Sequence, residues 1–156
     1  EPFKFNKMTP RKIIIKYAIL TTLIIGGFFL LSKLLGLQEN PYLRFLNLFF
    51  VLFGIRQAIK VNIEQNKETD YLSNLGLGLQ TSALAVILSI AGVMVYVEFI
   101  DRQFIEAMNN SFLIAGDLDK AEIFITLLIE GMASSFIGSF MVMQFYKNHD
   151  KLTTVA

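Results

Sequence analysis

Residues 123–145 read IFITLLIEGMASSFIGSFMVMQF, an apolar stretch that contains one charged residue, Glu130. A helix rises about 1.5 Å per residue and the hydrocarbon layer of a bilayer is roughly 30 Å thick, so about 20 mostly apolar residues span it. This stretch is long enough, and three others that precede it in the chain are as well. The sequence therefore predicts a membrane helix that carries a carboxyl group within the bilayer.

The four apolar stretches predict an all-α fold, an integral membrane bundle of four transmembrane helices. Hydrophobic residues make up 54% of the chain and charged residues 17%, which is unusual for a soluble domain. Little sequence remains outside these stretches, so residues 1–156 are predicted to form a single domain. The expected spans are about 13–35, 42–61, 71–100 and 121–146, with an amphipathic outer segment at about 101–115.

Lysine and arginine predict the orientation of the spans. Of the fourteen in the chain, ten lie before the first span, around the connection between the second and third, or after the fourth. Because basic residues accumulate in cytoplasmic loops, the predicted topology is N-in and C-in. Tyrosines concentrate at membrane interfaces, and all five in the chain fall at predicted interfaces: Tyr17, Tyr42, Tyr71, Tyr96 and Tyr146.

Small residues follow one face of the third helix and one side of the fourth. Helices in lipid associate by close packing of small side chains and by polar contacts, so we expect these two helices to touch most closely. The alternative is that Gly, Ala and Ser are simply common in membrane helices. The helix-packing candidates, spaced three and four apart along the third helix, are Gly78, Ser82, Ala85, Ser89 and Gly92, and those on the fourth are Gly131, Ser134, Ser135, Gly138 and Ser139.

Glu130 is the main candidate for a functional group. A charged residue at the centre of a membrane helix costs on the order of 2.5–3.5 kcal/mol on insertion scales, so it is expected to be paired, protonated or functional. Its depth matches Asn47 and Arg44 of the second helix, whereas Arg56 lies deeper and can extend to the cytoplasm. Two interpretations stay open: a structural acid within the bundle, or the proton- or cation-binding group of a transport path.

No catalytic, metal or cofactor site can be assembled from the sequence. Cysteine is absent, which excludes disulfides and cysteine-ligated metals. The single histidine, His149, lies in the predicted cytoplasmic tail, and no zinc-binding pair, Ser-His-Asp set or phosphate-binding loop is found. We therefore expect a non-enzymatic protein without a cofactor. The formal net charge of +1 does not indicate a nucleic-acid partner.

Four short segments carry a family resemblance: LGL at 35–37, GIR at 54–56 followed by Lys60, LSNLGLG at 72–78, and FIDRQF at 99–104. With them, nearly the full chain resembles an uncharacterised group of small four-span bacterial membrane proteins, the domain of unknown function 4199 family. The resemblance implies a multi-pass protein of the bacterial inner membrane. It supplies no activity, substrate or catalytic residue.

Two functions are compatible with these features. The leading hypothesis is a non-enzymatic accessory or assembly subunit of a larger inner-membrane complex. Its partner would bind the acidic and apolar connection between Asp101 and Lys120, unless that connection rests on the membrane interface. The alternative is a small oligomeric transporter or channel that uses Glu130 as an intramembrane proton or cation site. The first predicts partner subunits that co-purify, and the second predicts a homo-oligomer with a polar axis.

Overall fold

The structure, a computed structural model, describes residues 7–37, 41–103 and 119–146. These residues form four helices, α1 (Pro10–Leu34), α2 (Pro41–Asn66), α3 (Tyr71–Phe99) and α4 (Lys120–Tyr146). Each contains a stretch long and apolar enough to cross a membrane. The predicted all-α bundle of four membrane-spanning helices is therefore confirmed. The amphipathic segment predicted at 101–115 lies outside the described residues from 104 onward, and the N-in, C-in orientation stays a prediction.

Local signals in the sequence determine where the helices begin and end. Asp70 precedes α3, and its carboxylate accepts a hydrogen bond from the Ser73 N–H at 2.9 Å. Asp119 and Glu122 form a capping box at the start of α4, with reciprocal bonds of 2.9 and 3.1 Å. Gly36 follows α1 with a φ of 70°, a left-handed conformation that glycine adopts without steric cost. These ends therefore follow from residue type at single positions.

The second helix is longer than predicted. The expected span ended near Val61, where polar residues begin, whereas α2 continues to Asn66. Tertiary hydrogen bonds hold the added turn: the Asn66 side-chain amide donates to the Met8 carbonyl at 3.1 Å, and the Met8 N–H donates to Gln65 Oε1 at 3.1 Å. The polar end of α2 is therefore helical because it binds the segment that precedes α1.

Buried asparagines join the end of α2 to the start of α3. Asn62 and Asn74 are 3% and 2% exposed. The Asn62 amide donates to Asn74 Oδ1 at 3.1 Å, and the Asn66 amide donates to Asn62 Oδ1 at 2.8 Å. The Asn74 amide donates to the carbonyls of Glu68 and Asp70, each at 3.1 Å. Because buried polar groups are costly unless bonded, this asparagine network (Asn62, Asn66 and Asn74) fixes what we call the asparagine end of the bundle.

The opposite end, called the lysine end, is held by an ion pair. The Lys33 ammonium group lies 3.0 Å from Asp101 Oδ2 and also donates to the Tyr96 hydroxyl. Phe29 packs edge-on against the Tyr96 ring, with 5.3 Å between centroids. Lys33 and Phe29 lie on α1, whereas Tyr96 and Asp101 lie at the end of α3. This cluster therefore ties the end of α1 to the end of α3.

The two middle helices form the centre of the bundle. Both α2 and α3 pack against each other and against α1 and α4, whereas α1 and α4 lie at outer positions. The core between α2, α3 and α4 near the asparagine end is apolar. Its buried members are Val51, Ile55, Ile59, Leu75, Val142 and Met143.

α3 packs on α1 about as extensively as on α4, so the prediction that α3 and α4 touch most closely stays a prediction. The contact with α1 includes a polar group: the Thr22 hydroxyl approaches the Ala85 carbonyl at 3.3 Å. Threonine on α1 thus provides a close polar contact to α3 that was not predicted from the sequence.

Most of the small residues lie where helices approach closely. A Cβ atom added to Gly78 would lie 3.0 Å from Ile55 Cγ2, and one added to Gly131 would lie 2.5 Å from Val86 Cγ1. Gly92, by contrast, is exposed and has no atom within 4 Å of such a Cβ, so the prediction that it packs between helices is wrong. At this level α4 packs on other residues of α3, since Ile123 and Leu127 lie against Val93 and Val97. The other buried members are Ser82, Ala85, Ser135, Gly138 and Ser139.

Gly54 provides a test of this packing. A side chain at this position would overlap Thr21 of α1, so Gly54→Ile should lower the free energy of unfolding by about 1–3 kcal/mol, the usual cost of overpacking. Gly92→Ile, in open space, should change it little. Unfolding of the purified proteins in mixed micelles, followed by circular dichroism, measures both. Equal effects of the two substitutions would contradict the assignment of Gly54 to a helix contact.

The asparagine network makes a second prediction. Asn62→Leu or Asn74→Leu alone leaves a buried amide without its partner, which should cost about 1–3 kcal/mol. The double variant removes both groups and should cost less than the sum of the single variants. As a control, Asn62→Leu combined with Thr126→Val on α4 should be additive. Additive behaviour of the asparagine pair in the same unfolding assay would show that the two amides do not stabilise each other.

Candidate intramembrane binding site

A cavity of about 310 Å³ lies between α2, α3 and α4, in the half of the bundle nearer the lysine end. Four polar side chains from these three helices line it: Asn47, Ser89, Glu130 and Ser134. The rest of the lining consists of Gly131 and eight apolar side chains, Ile25, Phe45, Leu48, Val51, Val86, Ile90, Val93 and Leu127. Polar groups therefore converge from three helices on one otherwise apolar space.

Helix geometry explains why these polar groups meet. Glu130 is ten residues into α4, about 15 Å from its start, and Ser89 is the same distance from the end of α3 at Phe99. Asn47 is six residues into α2, about 9 Å from Pro41. Since α3 runs opposite to α2 and α4, the three residues reach a similar level, well inside the membrane-spanning part of the bundle.

The sequence analysis proposed Glu130, Asn47 and Arg44 as an intramembrane polar site. Glu130 and Asn47 do line one cavity, whereas the side chain of Arg44 lies outside the described residues. Glu130 is an exposed residue of α4, and both interpretations of its role stay open. Phe45, beside the cavity, is 53% exposed. The cavity therefore opens sideways, between α2 and α4, at the depth of Glu130.

Two polar atoms at the cavity have no hydrogen-bond partner within the described protein. They are Asn47 Oδ1 and Ser89 Oγ, and both are buried. Ser139 Oγ, which is not part of the cavity lining, is a third buried oxygen without a partner in the described protein, whereas the Ser82 hydroxyl donates to the Gly78 carbonyl at 2.9 Å. An unmet hydrogen bond costs about 1–3 kcal/mol, and the Asn47 and Ser89 oxygens are both enclosed by neighbouring groups, so a ligand in the cavity would reach them only after side chains beside them moved.

Ser89 and Ser134 were missed as site residues because the sequence analysis assigned both to helix packing. Serine is both small and polar, so its spacing along a helix does not distinguish a helix-packing role from a ligand-binding role. The available signal was the position of Ser89 on the same face of α3 as Ser82 and Ala85, a face that points towards α4. Only the fold reveals that Ser89 lines a cavity, whereas Val93 and Val97 further along α3 pack against α4.

The site does not resemble a metal centre. Among the described residues, no group of three or more histidine, cysteine, aspartate or glutamate side chains could hold a metal ion. The cavity offers one carboxyl group, and ions such as Ca²⁺ take about 6–8 oxygen ligands. Its polar groups suit a single charged or hydrogen-bonding group of a ligand.

The cavity is closed towards the asparagine end. Val51 belongs both to its wall and to the apolar cluster that fills the space between α2, α3 and α4 beyond it. Within that cluster Ile55 and Met143 are each 1% exposed. The described helices therefore contain no continuous passage from the cavity to the asparagine end.

Arg56 lies apart from the cavity, as the depth argument expected. It lines a separate groove between α2 and α4 with Phe145 and Tyr146, near the end of α4. The Arg56 guanidinium group and Glu130 therefore lie at different depths on the same side of the bundle.

The four helices define the chain as a small multi-pass membrane protein. Comparisons with known proteins add no closer assignment: the sequence matches no protein-family model, no curated protein and no solved structure.

The open hydroxyl of Ser89 can be tested for a structural role. Because its oxygen has no partner within the described protein, Ser89→Ala should leave the free energy of unfolding unchanged or raise it by up to about 1 kcal/mol. Ser82→Ala removes a hydroxyl that is bonded within its own helix, and we expect it to lower the value by about 0.5–1.5 kcal/mol. If Ser89→Ala destabilises as much as Ser82→Ala, the Ser89 hydroxyl serves the fold.

Proposed function

We propose that this small membrane protein is non-enzymatic and acts as a transporter that binds a positively charged group at Glu130. The observation that carries the proposal is the convergence of Glu130, Asn47 and Ser89 from three helices on one cavity at membrane depth. This proposal corresponds to the alternative of the two sequence-based hypotheses, and the geometry supports it better than the other.

The chemistry of the cavity favours a cation over an anion. Its lining includes the Glu130 carboxyl group and the side chains of Asn47, Ser89 and Ser134. The oxygens of these side chains can accept hydrogen bonds from a cationic group. An acid within a membrane helix is a functional-site candidate in its own right. A proton and a cation would compete for the same carboxylate, which is the requirement for coupling one to the other.

A transporter agrees with the closed core better than a channel does. The apolar cluster from Val51 to Met143 must separate before anything could pass from the cavity to the asparagine end. The contact between α2 and α3 at the centre also leaves no axial pore within the described helices. Passage would therefore need a rearrangement of helices around the site, for which a homo-oligomer is the expected assembly.

The accessory-subunit hypothesis stays a prediction. Its proposed contact surface was the connection between Asp101 and Lys120, and most of that connection lies outside the described residues. The bacterial inner-membrane location and the resemblance to the domain of unknown function 4199 family are likewise proposals. Purification in mild detergent separates the two functions, since partner subunits in fixed stoichiometry would favour the accessory role.

Ion exchange in proteoliposomes tests the transport proposal. The protein is reconstituted into vesicles that contain the pH-sensitive dye pyranine, and Na⁺, K⁺ or tetraethylammonium is added outside. We expect at least one cation to raise the internal pH, because cation entry drives protons out through the shared carboxylate. Glu130→Gln should slow this exchange at least about tenfold, since it removes the carboxyl group at which the proposal places both the proton and the cation.

Glu122→Gln is the matched control, because it makes the same chemical change on α4 but at an exposed capping position. Glutamine can replace glutamate in a capping box, so this variant should exchange ions at the wild-type rate. Wild-type protein that exchanges none of the three cations, or Glu130→Gln that exchanges them normally, would contradict the proposal.

A further inference from the structure

We infer that the groove between α2 and α4 near the asparagine end binds an anionic phospholipid, with Arg56 at the phosphate and the acyl chains along the apolar walls. This Arg56 groove has a volume of about 660 Å³, and its lining includes Phe53 and Arg56 of α2 and Met141, Phe145 and Tyr146 of α4. It is a different site from the Glu130 cavity, so the inference does not depend on the proposed transport.

Arg56 is a cation without an anionic partner in the described part of the chain. It is an exposed residue, and the ion pairs that the structure describes elsewhere join Lys33 to Asp101 and Lys60 to Glu64. Among the described lining residues of the groove, Arg56 alone carries a charge. A guanidinium group stays protonated and binds phosphate through two parallel N–H donors. The groove therefore favours an anionic group, and a phosphate in particular.

Lys60 extends the positive charge towards the end of α2. It follows Arg56 by four residues, so it lies on the same face of the helix, about 6 Å further along the axis. Its ion pair with Glu64 measures 4.0 Å and joins side chains that are 47% and 61% exposed. Because such exposed pairs are weak, Glu64 competes little with an anionic lipid for Lys60. Two basic residues thus follow one another on the face of α2 that borders the groove.

The apolar walls beside Arg56 distinguish a phospholipid from a free phosphate ion. Phe53, Met141 and Phe145 are 45%, 49% and 86% exposed, and they lie in helices long and apolar enough to cross a membrane. In a bilayer such side chains contact lipid tails, whereas inorganic phosphate would meet only the charged end of the groove. Since all phospholipids have acyl chains, the walls position the lipid and the charge of the headgroup selects it.

The groove lies at a level suited to a lipid headgroup. Tyr146 is the last residue of α4 and lines the groove together with Arg56, and tyrosine concentrates at membrane interfaces. Long arginine side chains also extend towards the headgroups. The asparagine end is the end that the basic residues predict to be cytoplasmic, and basic pockets between helices on that side bind anionic headgroups. Depth and charge therefore indicate the same ligand.

Brominated lipids test the inference in a bilayer. The chain contains no tryptophan, so Phe145→Trp places a single fluorophore in the groove, and bromine quenches it on contact. The full chain is reconstituted into phosphatidylcholine vesicles that contain increasing fractions of either dibrominated phosphatidylglycerol or dibrominated phosphatidylcholine, with the bromine atoms at the same acyl positions. We expect phosphatidylglycerol to bind in the groove at least about threefold more strongly than phosphatidylcholine, because a basic residue near the surface attracts an anionic lipid.

Variants on the Phe145→Trp background identify the cation. Arg56→Gln should remove most of the preference, and Arg56→Lys, which keeps the charge but loses the paired donors, should retain about half of it or more. Arg11→Gln is the matched control, because it removes the same charge from an exposed residue of α1 at the same end, outside the groove lining. This control should keep the parent preference. Leu72→Trp in the parent chain places the fluorophore at an exposed position at the start of α3 and should show no preference.

Each outcome supports or contradicts the groove as a lipid site. Equal binding of the two lipids, or a preference that Arg56→Gln leaves intact, would overturn the inference. A preference that Arg11→Gln abolishes as well, or that Leu72→Trp reports equally, would show a general effect of surface charge and also overturn it. Weak quenching of Phe145→Trp by both lipids would overturn it by showing that protein, such as a second copy of the chain, covers the groove. A selective groove in a protein that exchanges no cation would support this inference and contradict only the proposed transport.

Discussion

A polar side chain in a membrane-spanning helix must find hydrogen-bond partners within the protein, because lipid tails offer none. The described bundle meets this constraint at both ends. At the asparagine end, amides bond to one another and to backbone carbonyls. At the lysine end, Lys33 pairs with Asp101 and Tyr96. Hydroxyls along the helices, such as those of Thr21 and Ser82, bond to carbonyls one turn earlier.

The residues around the cavity do not follow this pattern. Asn47 Oδ1 and Ser89 Oγ are buried beside the cavity without partners in the described protein, and an acid lies at its opening. Ser139 Oγ, away from the cavity, is likewise buried without a partner in the described protein, so the feature particular to the cavity is that polar side chains from three helices meet there. The closed apolar core next to the cavity makes the site accessible from one side. The apolar cluster that stabilises the bundle therefore also closes the cavity towards the asparagine end.

Helix boundaries depend mainly on residues close together in the chain, whereas helix contacts depend on residues that are far apart in it. Asp70, Asp119 and Pro41 mark helix starts through local hydrogen bonding or backbone geometry, so their effect is legible in the sequence. The extension of α2 to Asn66 was not, because it depends on bonds to Met8, far away in the chain. Gly78 and Gly92 lie on the same stripe of α3, yet one meets Ile55 and the other meets nothing within 4 Å. Spacing shows which residues share a face but not which of them meet the neighbouring helix, since α4 packs on Val93 and Val97 rather than on Gly92.

By itself, the sequence determined that four helices are long and apolar enough to cross a membrane, and that Glu130 and Asn47 occupy similar depths. Both conclusions depend only on the rise per residue and on the cost of polar groups in lipid, which are properties of single helices. Only the tertiary structure decided that α3 packs on α1 as extensively as on α4, that Glu130 is exposed, and that Ser89 faces a cavity. Those facts depend on the rotation of each helix about its axis and on the gaps that remain between side chains of different size. Neither quantity is encoded by the periodicity of a single segment.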